Sequence, residues 1–215
     1  MKLFLDTADT KAIYDRLGTG LISGVTTNPT LIFKSGKHPQ QVYRELKNAG
    51  IKDISMEITA DNPKDFFSRA VGHFKEYGDV TTIKLPCSKD GLWACKKLTE
   101  IDIRVNMTLV FSVSQAILAA LAGATYISPF VGRMDDNSLS GLGLINDISK
   151  VYKEQFIQTK ILAASIRDVQ SVGKAYELGA DICTIPPKVF DNMYNHVLTD
   201  KGLEQFNLDS KAYEN

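Results

Sequence analysis

A lysine near the end of a buried strand is the residue whose chemistry has to be explained first. Asp79-Val80-Thr81-Thr82-Ile83-Lys84-Leu85-Pro86 reads as a short strand, rich in β-branched residues and stopped by a proline. Alternate side chains of a strand share a face, so Val80, Thr82 and Lys84 point one way and Thr81, Ile83 and Leu85 the other. The second set suits a covering helix. The first places an amine at the end of a polar interior. Burying an unpaired ammonium is costly, which favours the neutral amine, and neutral amines attack carbonyls. Lys84 is therefore a candidate Schiff-base lysine. Alone, the stretch favours a plainer reading, a strand-end lysine that snorkels to solvent.

Its company shifts the balance. Strand after strand ends in a polar residue: Asp6, Asn28, Glu57, Lys84, Asn106, Thr108, Ser128 and Ser165. The period of two puts Ser55 with Glu57, Asn106 with Thr108, and Thr26 with Asn28, while the intervening residues are mostly apolar. A lysine can trap a ketone as an iminium, into which the electrons of a neighbouring carbon–carbon bond can be withdrawn. Asp6 is a candidate base for the β-hydroxyl. Glu57 could serve carbinolamine dehydration, with Thr108 holding a water. Asn28, Asn106 and Ser128 could bind sugar hydroxyls. Arg133, and Ser165 with Arg167 at a helix start, make a candidate phosphate site. Plainer readings exist: a helix cap for Asp6, a turn residue for Asn28, a surface ion pair for either arginine.

The elements that must position these residues follow a repeating rhythm. Strands are read at Leu3–Asp6, Gly24–Pro29, Asp53–Ile58, Asp79–Pro86, Ile103–Thr108, Thr125–Phe130, Lys160–Ser165 and Asp181–Thr184. Helices fall between them: to Leu17, about Pro39–Asn48, Pro63–Tyr77, Lys89–Thr99, Ser112–Ala122, Gly141–Phe156 and Arg167–Leu178. Asp90 could cap or charge the start of the fourth of these. Val131–Ser140 reads as a Gly- and Asp-rich loop. After Pro186-Pro187 comes a helix from about Lys188 to His196, then a short terminal helix from near Thr199 that includes Phe206, then a polar tail from Asn207 to Asn215. About eight strand–helix units of this length imply an α/β fold, a single (β/α)8 TIM barrel over residues 1–215 with a C-terminal helix. An open doubly wound sheet is disfavoured because no GxGxxG follows the first strand.

Composition narrows the function classes. The 215 residues are 44% hydrophobic, as in a soluble globular protein, with 25 basic and 25 acidic residues. With no basic block there is no electrostatic case for nucleic acid. No run approaches the roughly 20 apolar residues that span a bilayer, and the amino terminus has too short an apolar run for a signal peptide. A cytoplasmic location is expected, with no membrane partner. Cys87, Cys95 and Cys183 have no metal-like spacing and suit reduced, mostly buried thiols; Cys87 is read as structural despite lying near Lys84. His38, His73 and His196 form no HxxxH or HxH pattern, so no protein-built metal site is expected.

Taken in order, Leu5-Asp6-Thr7-Ala8-Asp9, Thr26-Thr27-Asn28-Pro29, Ile83-Lys84-Leu85-Pro86, Asn106-Met107-Thr108-Leu109, Ser128-Pro129-Phe130-Val131-Gly132-Arg133 and Ala163-Ala164-Ser165-Ile166-Arg167 resemble the small transaldolase and fructose-6-phosphate aldolase family. The resemblance runs from the first strand to the helix near residue 206. It implies a class I aldolase barrel without metal or cofactor, with Lys84 as the Schiff-base lysine, Asp6 and Glu57 as the acid–base pair and Thr108 as holder of the water. Arg133, Ser165 and Arg167 match the family's phosphate ligands. Aldolase members carry glutamine where Glu57 stands and tyrosine where Phe130 stands. A tyrosine there helps protonate and release dihydroxyacetone, and a phenylalanine cannot. Glu57 with Phe130 therefore implies a transaldolase, with sedoheptulose 7-phosphate and glyceraldehyde 3-phosphate giving erythrose 4-phosphate and fructose 6-phosphate in the pentose phosphate pathway. The alternatives are a fructose-6-phosphate aldolase and a non-catalytic barrel that binds sugar phosphates. Met107 departs from the leucine associated with that place and should point away from the site. The resemblance further implies a homo-oligomer, a ring of five or a decamer, with the terminal helix reaching a neighbour.

Overall fold

A computed structural model describes residues 1–213. Eight parallel strands close into a barrel in sequence order, the last pairing with the first. They are β1 Lys2–Asp6, β2 Ile22–Thr26, β3 Ile54–Glu57, β4 Thr81–Pro86, β5 Val105–Val110, β6 Tyr126–Pro129, β7 Lys160–Ala163 and β8 Ile182–Ile185. The helices are α1 Thr10–Leu17, α2 Pro29–Ser35, α3 Pro39–Asn48, α4 Pro63–Tyr77, α5 Lys89–Thr99, α6 Val113–Leu121, α7 Val131–Asp135, α8 Gly141–Glu154, α9 Val169–Glu177, α10 Pro187–Asn192 and α11 Val197–Tyr213. The expected (β/α)8 barrel is thus observed.

The alternation read from the sequence sorts the side chains into two cores. Ile54, Met56, Ile83, Leu85, Val105 and Met107 lie in the large layer between sheet and helices. Met107 therefore packs outside the barrel, as expected. A small separate cluster of Phe4, Tyr126, Leu162, Ala164 and Ile182 fills the barrel interior on the β1 and β6–β8 side. Gly24 is required beside it: a Cβ there would lie 2.6 Å from the Phe4 ring and 2.8 Å from the Asp53 carbonyl. The β2–β5 side of the interior is polar instead, with Thr26, Ser55, Thr82, Lys84, Asn106 and Thr108 all buried.

Several local readings are corrected. The Lys84 strand starts at Thr81, because Gly78–Val80 forms a 3-10 turn after α4; Val80 does not share the interior face with Thr82 and Lys84. Helix α2 is unforeseen. Asn28 caps it by accepting from the Leu31 amide, and Pro29 stands at its first turn, where a missing N–H costs nothing. What reads as loop after Phe130 opens with α7. The cap of α5 is Ser88 rather than Asp90, which stands in its first turn. The helix read to His196 ends at Asn192. The terminal helix is longer than expected, running from Val197 through Tyr213 across most of what reads as tail; residues 214 and 215 lie outside the described residues. All three cysteines are free, two buried and Cys87 half-buried.

Candidate active site

Lys84 sits at the carboxyl end of β4, 4% exposed. It is not unpaired. Its Nζ lies 2.9 Å from Glu57 Oε2 and donates to the Thr27 carbonyl at 2.9 Å. Register explains the pairing, since Glu57 and Lys84 are opposed across β3 and β4. Thr27 is held in turn by two bonds to the Ser55 carbonyl, from its amide at 3.1 Å and its hydroxyl at 3.0 Å. The amine is therefore aimed by main chain rather than by a flexible neighbour.

Asp6 ends β1 and does not cap α1, whose cap is Asp9. Its Oδ1 accepts from Thr26 Oγ1 at 2.8 Å, and that hydroxyl lies 2.7 Å from Thr184 Oγ1. Burial raises the Asp6 carboxyl above its ordinary pKa, opposed by the nearby Lys84 charge and the Thr26 bond. A second chain of bonds runs along the polar wall: Ser128 Oγ donates to Asn106 Oδ1 at 2.8 Å, and Asn106 Nδ2 donates to Ser55 Oγ at 3.2 Å. The Thr108 hydroxyl is buried and, among the described residues, has no hydrogen-bond partner. That is an uncommon and costly state for a buried hydroxyl. β5 bulges there, with a register shift between Met107 and Val110 and Leu109 at φ +58°.

A cavity of about 130 Å³ opens at this end of the barrel. It brings together Asp6, Asn28, Lys84, Ser128, Phe130, Arg133 and Ser165 of the sequence candidates, with Thr26, Ala164 and Thr184 added. Asn28 contributes although its Oδ1 is spent on α2, leaving its amide nitrogen available to donate. Arg133, exposed, lies over the Phe130 ring at 4.9 Å. Ser165 sits at φ +58°, a left-handed conformation uncommon outside glycine. Its carbonyl accepts from the Gly132 amide at 3.0 Å, an approach only glycine permits, because a Cβ on Gly132 would lie 2.4 Å from that oxygen.

Arg167 is brought less close. Its guanidinium forms a two-point pair with Asp136 and lines a smaller neighbouring cavity of about 80 Å³ that Ser165 also borders. The pair holds the exposed Asp136 carboxyl below its ordinary pKa. Glu57 is separated in another sense: it lines a different cavity, on the far side of Lys84.

Sequence reading missed Thr184, Asp136 and the Thr27 carbonyl. Thr184 was within reach, since alternation through β8 puts it on the interior face. Asp136 and Thr27 were not, because a loop acid and a main-chain oxygen carry no distinguishing residue pattern. Cys87 stands apart from this chemistry, its Sγ 3.7 Å from the Gln115 carbonyl and its thiol pushed up by burial. Among the described residues no group of three or more His, Cys, Asp or Glu is placed to hold a metal ion, and no helix is long and apolar enough to cross a membrane.

Known proteins resemble the chain along almost its entire length. The family profile Transaldolase/Fructose-6-phosphate aldolase matches residues 3–214. A probable transaldolase of Paracoccus denitrificans (strain Pd 1222) is 48% identical over 209 residues, 97% of this chain and 96% of that protein. One of Caulobacter vibrioides (strain NA1000 / CB15N) is 48% identical over 206 residues, 96% of this chain and 94% of that protein. One of Ruegeria sp. (strain TM1040) is 47% identical over 212 residues, 99% and 97% of the two chains. With the barrel closed and these matches spanning it, the chain belongs to the transaldolase/fructose-6-phosphate aldolase family.

Proposed function

We propose that the protein is a transaldolase that moves a dihydroxyacetone unit between sugar phosphates through a Schiff base on Lys84. The observation that carries this reading is a buried amine 2.9 Å from one carboxylate, opening onto a cavity lined by a second.

Glu57 takes a proton from the attacking amine and returns one to the departing hydroxyl of the carbinolamine, aided by a water on the unpartnered Thr108 hydroxyl. Asp6 then removes the proton of the β-hydroxyl. The carbon–carbon bond breaks, its electrons pass to the iminium to give the enamine, and the aldehyde leaves. A raised Asp6 pKa brings this base nearer the pH at which it works. Asn28, Asn106 and Ser128 hold hydroxyls of the dihydroxyacetone unit. Arg133 at the mouth, with Ser165 and Arg167 beside it, receives the phosphate; Arg167 does so in concert with, or by release from, Asp136.

Phe130 borders the cavity and offers no proton to the enamine, which therefore waits for an acceptor aldehyde. The matched relatives carry the name probable transaldolase, in agreement. The substrate pair proposed is sedoheptulose 7-phosphate with glyceraldehyde 3-phosphate, giving erythrose 4-phosphate and fructose 6-phosphate, as a step of the pentose phosphate pathway in the cytoplasm. The chain works as a homo-oligomer: α11 has seventeen residues and buries none of them on its own barrel, while Leu198, Leu203 and Phe206 stand exposed.

The test is borohydride reduction in the presence of fructose 6-phosphate, read by mass spectrometry. A reduced adduct on Lys84 is expected; folded protein with no adduct on any lysine would sink the reading. Free dihydroxyacetone should accumulate only slowly without an acceptor aldehyde, and Phe130→Tyr should raise that release.

A further inference from the structure

Lys84 and Glu57 form a wall between two cavities. The cavity at the barrel mouth, about 130 Å³, contains Lys84 and Asp6 but not Glu57. Behind the wall lies a second, surface-open cavity of about 580 Å³, lined by residues of α2, α3, α4 and the end of β3, and Glu57 borders this one. The two partners of the ion pair thus face different spaces, and the side-chain exposures agree: 5% for Lys84 and 16% for Glu57.

The second cavity has the character of a solvent path rather than a binding site for a charged ligand. Its cations are already engaged, Lys37 by Glu45 and Thr10, and Arg69 by the Thr59 carbonyl. Thr59, Gln40 and His38 supply exposed polar groups along it, and His73 Nδ1 donates to the Arg69 carbonyl at 3.0 Å. Apolar Ile32, Phe33 and Ile58 form much of the remainder, a lining that holds water loosely.

Schiff-base chemistry releases water and takes it up again. When the amine condenses with a ketone, the C–N bond forms and the ketone C–O bond breaks. The oxygen departs as water, carrying one proton from the amine and one delivered by Glu57, and the iminium keeps the positive charge. At that moment the mouth is filled by the sugar joined to Lys84. We propose that the cavity behind Glu57 is a second solvent path, by which this water leaves and the hydrolytic water returns without passing the bound sugar. The proposal rests on the Schiff-base reading and adds a route to it.

The experiment uses fructose 6-phosphate labelled with ¹⁸O at C2. Asp6→Asn serves as the parent, because it blocks carbon–carbon cleavage and keeps the sugar in place while iminium formation and hydrolysis continue. Loss of label measures escape of water during that cycle, and borohydride trapping measures how much adduct forms. Thr59→Trp, and separately Gln40→Trp, are added to fill the second cavity from exposed positions. The expected result is roughly a tenfold fall in label exchange with adduct yield unchanged. Unchanged exchange at unchanged adduct yield in both variants overturns the solvent path. Absence of any adduct in the Asp6→Asn parent, shown to be folded, overturns the Schiff-base reading instead.

Discussion

The two ends of the barrel both bury charge, and they treat it in opposite ways. At the amino-terminal end Asp53 is 5% exposed and saturated. Its Oδ1 accepts from Thr82 at 2.8 Å, and its Oδ2 accepts from Arg104 Nη1 at 3.0 Å and Tyr126 OH at 2.7 Å. The hydroxyl of Tyr126 is held in place by a ring that packs edge-on against Phe4. At the carboxyl-terminal end Thr108 has no partner among the described residues, Asp6 is raised from its ordinary pKa, and Ser165 holds a left-handed backbone. Polar groups that are fully paired serve the fold. The buried Thr81 and Tyr77 hydroxyls also lack a partner among the described residues, so it is the place of Thr108, on the strand beside Lys84, that points to chemistry. Substitutions should therefore cost stability at one end and activity at the other.

Lys84→Met is the severest test at the carboxyl-terminal end. Transaldolase turnover should fall about 10⁴-fold or more, measured as kcat, with no borohydride adduct at any lysine. At the opposite end, Asp53→Ala leaves Arg104 without its buried partner and should lower unfolding free energy by about 3–5 kcal/mol in urea titration. Retention of wild-type stability there would erase the contrast between the two ends. Thr108→Val replaces an unpartnered hydroxyl by a methyl of similar shape. It should cut kcat about 10- to 100-fold while leaving the urea midpoint unchanged or higher; a large loss of stability would make Thr108 a structural residue after all.

The smallest effect concerns pH. A carboxyl whose pKa is raised on folding binds its proton more tightly in the native state, so stability falls as pH rises from the ordinary carboxylate range through the raised value, and stays lower above it. Asp6→Asn removes that slope. It should be more stable than the parent at neutral pH, and the gain should vanish in acid below the ordinary carboxylate range. Thermal unfolding across pH checks both halves of the statement.

Alternation made much of this contrast legible. Period-two reading put Ser55 with Glu57 and Asn106 with Thr108 on one face; Ser55, Asn106 and Thr108 do lie buried in the interior, while Glu57 pairs with Lys84 and borders the second cavity. It failed at Val80, because a glycine turn rather than strand precedes Thr81. Asn28 was harder, since the same residue follows β2, caps a seven-residue helix and borders the cavity, and of these the sequence gives no sign of the helix. The Asp53 plug was invisible for a different reason. Its four members come from β3, β4, β5 and β6 or their approaches, and no local pattern links residues 53, 82, 104 and 126. The Arg167 pair with Asp136 is non-local in the same way. Local rules read faces, and only the closed barrel decides which faces meet.

Closure has a consequence for the order of synthesis. β1 pairs with β8 as well as with β2, with Lys2 opposite Ile182 and Leu5 opposite Ile185. At about 5–20 residues per second, β1 is exposed as an unpaired edge for roughly 10–35 s before its second neighbour exists. Thr26 meets Thr184 only when that seam closes, so the environment of Asp6 is among the last parts of the protein to be made. A ribosome-bound chain halted before residue 182 would carry Lys84 and Glu57 on paired strands and still lack the finished surroundings of Asp6, the proposed base, which the final strand completes.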